Sequence, residues 1–106
     1  MWALEKEHTL IGYICFWMFA NEVQIINLAV HPDHRKLKQG LSLLKRLIEK
    51  SRSNGVRNIW LEVRPSNLAA RNLYKKTGFK EFGKRPQYYQ DTKEDAVLMA
   101  LEIAIK

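Results

Sequence analysis

The chain has 106 residues, of which 46% are apolar and 27% charged, with a net charge of +7. That length holds one domain, spanning 1–106, with a modest core; the composition is that of a water-soluble globular chain, and no apolar run reaches the roughly 20 residues a bilayer-crossing helix needs. The single cysteine, Cys15, excludes an internal disulfide, and MWALEKEH does not read as a basic stretch followed by an apolar one, so no secretion signal is expected and a reducing cytoplasm is the natural compartment.

In chain order, residues 2–6 read as a short strand and His8-Thr9 as a turn. Residues 10–19, LIGYICFWMF, are aromatic, β-branched and apolar on both faces, the pattern of a buried strand. Cys15 lies within that run and reads as a buried, inert thiol. Ala20-Asn21-Glu22 is a tight connection to a strand over 23–30, which makes 10–30 an antiparallel hairpin. Pro32 ends it, having no N–H and restricting His31. A helix is expected over 39–53, where Leu41, Leu44, Leu47 and Ile48 form one apolar stripe and Lys45, Arg46, Glu49 and Lys50 the wet side. Asn54-Gly55 stops it, with Gly55 suited to a left-handed cap. Residues 56–63 form the next strand, so strand, helix and strand make a β-α-β unit with parallel strands and a right-handed crossover. Ser66 or Asn67 caps a second helix, LAARNLYKK, ended by Thr77-Gly78. A strand begins over 79–83, residues 84–93 read as a polar loop carrying Tyr88 and Tyr89, and 95–103 is the last strand.

The stretch from Ile25 to Ile48 organises the chain. It places an apolar strand, a basic turn and a helix N-terminus in succession. The first N–H groups of a helix lack partners within it, and the helix dipole puts partial positive charge there. With His34, Arg35, Lys36 and Lys38 at the same place, this reads either as a cradle for a phosphate-bearing ligand or as a basic surface loop before an amphipathic helix. The net charge suits an anionic partner without naming it, and the basic residues are too spread for a dedicated nucleic-acid stripe.

VHPDHRKLKQGLSLLKRLIEK resembles the acetyl-CoA motif of the GCN5-related N-acetyltransferase (GNAT) superfamily, Arg/Gln-x-x-Gly-x-Gly/Ala bracketed by V-x-P and L-L. The six positions are Arg35, Lys36, Leu37, Lys38, Gln39 and Gly40. Arg35 and Gly40 fit, whereas Lys38 stands where the family has its first glycine. WLEVRPSNLAARNLYKKTGF and YYQDTKEDAVLMALEI are similar to the bacterial ribosomal-protein-alanine N-acetyltransferase branch, so the similarity runs over roughly residues 10–103. It implies an α/β GNAT fold, a mixed and mostly antiparallel sheet with a central β-α-β acetyl-CoA-binding unit. The family carries about two helices and a strand before the point where this chain begins, so the chain reads as N-terminally truncated. The apolar strand at 10–19 would then lack cover on one face, with self-association or a further N-terminal segment as the expected consequence.

Glu62 is an acid inside an apolar strand, sharing a face with Trp60 and Arg64. A carboxylate there is paired, solvated or functional, because unpaired burial is costly; Arg64 is the expected ion-pair partner, and the resemblance maps the general base onto Glu62. Tyr74 in the second helix is either core or, by the resemblance, the general acid. Asn67 is a helix cap and matches an acetyl-CoA-contacting position. The resemblance also assigns cofactor contacts to the backbone at Leu28, Ala29 and Val30, to Arg35 through Gly40 and to Leu41. Tyr88 and Tyr89 fall where the family contacts peptide. His8, His31 and His34 have no metal-ligand spacing with Cys15, so no metal is expected.

The implied chemistry is direct acetyl transfer from acetyl-CoA to a protein N-terminal amine, that of an N-terminal alanine of a small-subunit ribosomal protein. An α-amine with pKa near 8 costs only about 1 kcal/mol to deprotonate at pH 7, against roughly 4–5 kcal/mol for a lysine near 10.4, which favours the former. Alternatives are a CoA-binding module with weak or no peptide activity, a GNAT acting on a lysine or small amine, and an RNA- or ribosome-associated basic domain. No membrane partner is expected.

Overall fold

The computed structural model describes residues 2–6, 9–30, 39–89, 91 and 93–103, with side chains over 12–29, 40–86, 91 and 93–103. In chain order the elements are β1 (Trp2–Lys6), β2 (Thr9–Phe19), β3 (Glu22–Val30), α1 (Gln39–Ser53), β4 (Asn58–Val63), α2 (Leu68–Lys76), β5 (Lys80–Tyr89) and β6 (Glu94–Glu102). The strands form one sheet in the order β1-β2-β3-β4-β6-β5. Every neighbouring pair is antiparallel except β3 and β4, which are parallel and joined through α1. This is the expected mixed sheet around a β-α-β unit.

β4 and β5 run in the same direction, since each is antiparallel to β6. The crossovers β3-α1-β4 and β4-α2-β5 therefore advance the same way across the sheet, and right-handed connections put both helices on one face. The core lies there. Leu43, Leu44, Leu47 and Ile48 of α1 and Tyr74 of α2 pack with Ile14, Val23, Ile25, Ile59, Leu61, Val63, Val97 and Met99 in one buried cluster.

Both helices end in the same way. The Val56 N–H donates to the Ser51 carbonyl at 3.0 Å and the Gly55 N–H to Arg52 at 3.2 Å, with Gly55 at φ +75°. The Phe79 N–H donates to Tyr74 at 3.0 Å and the Gly78 N–H to Lys75 at 3.1 Å, with Gly78 at φ +104°. Each is a Schellman cap, in which glycine adopts the left-handed conformation and the next residue folds back as an apolar contact. Val56 and Phe79 are those residues, and both are buried.

Two expectations need correction. Residues 84–93 are not a loop throughout: β5 continues to Tyr89, with Arg85 opposite Ala96 and Tyr89 opposite Glu94. The polar composition of this segment reflects an edge strand, where one side faces water and Pro86 can be accommodated by the register irregularity between Arg85 and Tyr89. Nor is β2 buried on both faces. Ile14 is fully buried and Phe16 packs against the core, whereas Trp17 and Phe19 expose 69% and 82% of their surface.

The β2–β3 register skips Ile26: Phe16 pairs with Ile25, and Cys15 with Asn27. Ile26 is thus the extra residue of a β-bulge, which bends β3 and increases its twist. The β3–β4 ladder runs only from Glu22–Asn58 to Ile25–Leu61 and stops where the bulge begins.

Ser51 is fully buried under α1, and its hydroxyl has no hydrogen-bond partner among the described residues. Ser51→Ala removes that unsatisfied group and improves helix propensity, so a gain of about 1 kcal/mol is expected, read as a Tm rise of roughly 4–8 °C. Unchanged or lower stability would mean the hydroxyl is satisfied in solution. Sedimentation at micromolar concentration is expected to show self-association, diminished in a Trp17→Ser, Phe19→Ser variant; a monomer at all concentrations would count against an adhesive open face.

Candidate active site

Past Ile25 and Leu61 the two parallel strands part within the sheet. The gap has a volume of about 240 Å³ and is lined by Ile26, Leu28, Glu62, Arg64, Asn67 and Tyr74, among others. A second, larger groove of about 460 Å³ lies on the helix side between the first turn of α1 and α2, against Leu28, Ala29, Gly40, Leu41, Asn72 and Lys76. Leu28, Asn67 and Ala70 line both. The groove and the gap therefore adjoin. The groove, with its mostly apolar walls and a few polar groups, has the character of a small-molecule site, whereas the gap presents mainly polar surface.

Glu62 and Tyr74 both reach this gap, from different sides. Glu62 lies on β4 between buried Leu61 and Val63, so strand alternation turns it away from the core. Tyr74 comes from α2 on the helix side, with 5% exposure, and its ring meets Phe79 at 5.5 Å between centroids. The Schellman cap places Phe79 against Tyr74, so the helix terminus itself orients the ring. The two roles open for Tyr74 are thus compatible: it is core, and it lines the gap. Asn67 caps α2, its Oδ1 accepting from the Ala70 N–H at 3.2 Å, and it stands where groove and gap meet. The β3 backbone beyond Ile25 has no ladder partner on the β4 side among the described residues, which leaves polar groups around Leu28 and Ala29 available to a ligand. Val30 ends β3 and Gln39 begins α1. Arg35, Lys36, Leu37 and Lys38, with His31 and His34, lie outside the described residues, as do the side chains of Tyr88 and Tyr89. No group of side chains able to hold a metal ion occurs among the described residues.

The ion-pair partner of Glu62 is not Arg64 but Arg85. Arg85 Nη2 lies 2.6 Å from Glu62 Oε1, with the Glu62 side chain 10% exposed and that of Arg85 53%. Arg64 is paired with Asp91 at 3.0 Å. Reading β4 alone favoured Arg64 because it is two residues along on the same face; nothing local indicates that β5 lies two strands away across β6. The segment 84–89 carries the signal only once it is read as a strand.

α2 is braced before its first turn and from Arg71. Before it, Ser66 donates from Oγ to Glu94 Oε1 at 2.8 Å and from its N–H to Oε2 at 3.2 Å. Arg71 donates from Nη1 to the Pro65 carbonyl at 3.0 Å and from Nη2 to Glu81 Oε1 at 2.7 Å. The Arg71 hydrogen bond holds the Glu81 carboxyl below its ordinary value of 4.5, opposed in part by desolvation and assisted by the charges of Arg71, Lys75 and Lys84.

Residues 1–79 match the model of the acetyltransferase (GNAT) family. The chain belongs to that family. The ribosomal protein bS18-alanine N-acetyltransferase of Escherichia coli (strain K12) is 44% identical over 87 residues, covering 80% of this chain and 59% of that relative. A crystal structure of the ribosomal-protein-S18-alanine N-acetyltransferase from Escherichia coli superposes with a TM-score of 0.90 at 37% identity, covering 98% of this chain and 68% of that one. A GNAT family acetyltransferase from Elizabethkingia anophelis, solved with acetyl-CoA bound, shares the fold at a TM-score of 0.85 and 20% identity, covering 95% of this chain and 74% of that one. The chain spans 59–66% of the length of the first curated relatives it matches.

A lowered folded-state pKa contributes stability that is present above the unfolded value and is lost as pH falls through the folded one. Glu81→Gln is therefore expected to lower the GNAT domain's stability at neutral pH, with the difference from the parent closing below pH 4.5 as Glu81 itself protonates. Thermal unfolding of both proteins across this range checks it. A difference that stays constant with pH would assign the effect to packing rather than to the Arg71–Glu81 charge pair.

Proposed function

We propose that this chain transfers the acetyl group of acetyl-CoA directly to the α-amine of a protein N-terminus, with an N-terminal alanine of a bS18-type ribosomal protein as the acceptor. The observation that carries this reading is the groove between α1 and α2 adjoining the gap that Glu62 lines, the two sharing Leu28, Asn67 and Ala70. The thioester can enter from one side of the sheet and the amine from the other. The names of the relatives support the acceptor, and a ribosomal acceptor implies a cytoplasmic setting.

The residues divide the chemistry as follows. The α1 N-terminus at Gln39, Gly40 and Leu41, where N–H groups have no partner within the helix, receives phosphate, and Lys76 adds positive charge along the groove. Asn67, Leu28 and Ala29 hold the pantetheine end near the gap. Backbone N–H groups of β3 beyond the bulge stabilise the negative charge that builds on the thioester oxygen. The amine nitrogen attacks the thioester carbon, Glu62 takes the proton that the nitrogen sheds, and the C–S bond breaks. Tyr74 gives its hydroxyl proton to the departing thiolate, so an amide and the free CoA thiol result. With Glu62 the one carboxylate lining the gap among the described residues, an α-amine near pKa 8 is an easier acceptor than a lysine near 10.4 by about 3 kcal/mol of deprotonation at neutral pH.

Mass spectrometry of peptides incubated with acetyl-CoA and the chain is the direct test. Peptides with a free N-terminal alanine are expected to gain an acetyl group on that amine, and N-terminally blocked peptides carrying lysine are not. Calorimetric binding of acetyl-CoA without any transfer would instead make this a CoA-binding module. Glu62→Gln should reduce transfer about 10²–10⁴-fold with acetyl-CoA binding little changed. Tyr74→Phe keeps the ring against Phe79 and should slow turnover without loss of stability; a rate within about twofold of the parent would assign Tyr74 to packing alone.

A further inference from the structure

We infer that Arg85 is the positioning residue of Glu62, delivered to it by a β-bulge in β5. This rests on the reading of Glu62 as the base. Across the β5–β6 pair, Lys80 opposes Ala100 and Glu81 opposes Met99, and then Gly83, not Phe82, opposes Leu98. Phe82 is the inserted residue. Without it Lys84 would stand opposite Ala96, and Arg85 opposite the next residue of β6, with its side chain on the helix face, because a one-residue shift exchanges the faces of a strand. With it Arg85 lies opposite Ala96, on the face that Glu62 shares through its own partner Leu98. Ala96 is small and fully buried, so the arginine can extend over β6 toward β4. Its guanidinium then meets Glu62 at 2.6 Å.

Arg85 Nη2 holds the carboxylate by Oε1. A glutamate on a strand has three side-chain torsions, and a base that samples several of them is seldom within reach of the proton it must take. A charge-assisted bond to one oxygen selects an orientation and leaves the other oxygen for the amine or for a water between them. Arg85 itself is half-exposed, so the pair sits at the rim of the gap, where an acceptor peptide would arrive. The arginine acts through Glu62 and needs no contact with the reacting atoms.

A structural role, tying the edge strand β5 to the sheet, would predict something different, and a double-mutant cycle separates the two. The variants are Arg85→Met, Glu62→Gln and the pair, assayed with acetyl-CoA and a peptide bearing an N-terminal alanine, with thermal unfolding measured on each. Arg85→Met is expected to lower kcat about 10–100-fold while KM for acetyl-CoA stays within about twofold. In the Glu62→Gln background the same change should alter the residual rate by less than about twofold, because there is no longer a base to position. Arg85→Lys, which keeps a cation but not the planar fork, should retain more turnover than Arg85→Met, and it serves as the test should the methionine variant not fold. Equal losses from Arg85→Met in both backgrounds would overturn the inference, as would unchanged turnover in the single variant. If Glu62→Gln by itself leaves turnover intact, the assignment of the base fails and the inference with it; if Glu62→Gln is slow and Arg85→Met is silent, only the inference fails.

Discussion

The structure depends on one break in hydrogen bonding: β3 and β4 pair as far as Ile25 and Leu61 and then separate. Inside a sheet this is costly, since backbone groups that leave a ladder must be satisfied elsewhere. Two features make it sustainable. The bulge at Ile26 bends β3 while keeping it paired to β2 through Asn27 and Leu28, and β4 stays paired to β6 along its whole length, from Asn58 to Val63. Each strand is anchored on its outer side, so the opening between them is held by two intact ladders. The result is an opening in an otherwise continuous sheet, with Glu62, Arg64 and Asn67 giving it a mainly polar lining.

The two helices are fixed relative to that opening by their ends. α1 begins beside the groove, and α2 begins where groove and gap join, with Asn67 as its cap. At their C-termini the same glycine-based device returns the chain to the sheet with Val56 and Phe79 buried. Gly78 has a second constraint, since a Cβ there would lie 3.1 Å from Leu101 Cδ1. The cap of α2 thereby couples three things: the helix terminus, the packing of Phe79 and the position of Tyr74. An aromatic that is 5% exposed and wedged in this way presents its ring edge with little freedom.

The charges around the opening are arranged in pairs that run between elements: Glu62 with Arg85, Arg64 with Asp91, Arg71 with Glu81, and Glu94 with Ser66. Most of these groups are partly exposed, and exposed ion pairs contribute only about 0–1 kcal/mol each. Their significance is geometric. They hold β4, β5, β6 and the turn before α2 in register around the gap, where small displacements alter reactive geometry more than they alter stability. Glu62 differs from the others in being only 10% exposed, so its partner also meets the requirement that a buried carboxylate be compensated.

Local pattern carried much of this. The stripe Leu44, Leu47 and Ile48, the stop at Asn54-Gly55 and the cap at Asn67 specify both helices, because helix periodicity and glycine torsions are properties of neighbouring residues. A carboxylate at Glu62 within an apolar strand announces a site for the same reason, since its burial is unfavourable without compensation. Three features were decided only by the assembled sheet. Residues 84–89 became a strand because β6 offered a ladder, overriding a polar composition that by itself reads as loop. Trp17 and Phe19 were left exposed because both helices cover the same face, which follows from crossover handedness and not from β2. Arg85 reached Glu62 because the strand order places β5 beyond β6 and because Phe82 bulges. Pairing across a sheet joins residues 23 positions apart in sequence, and its register depends on a single inserted residue, so no local window contains the information.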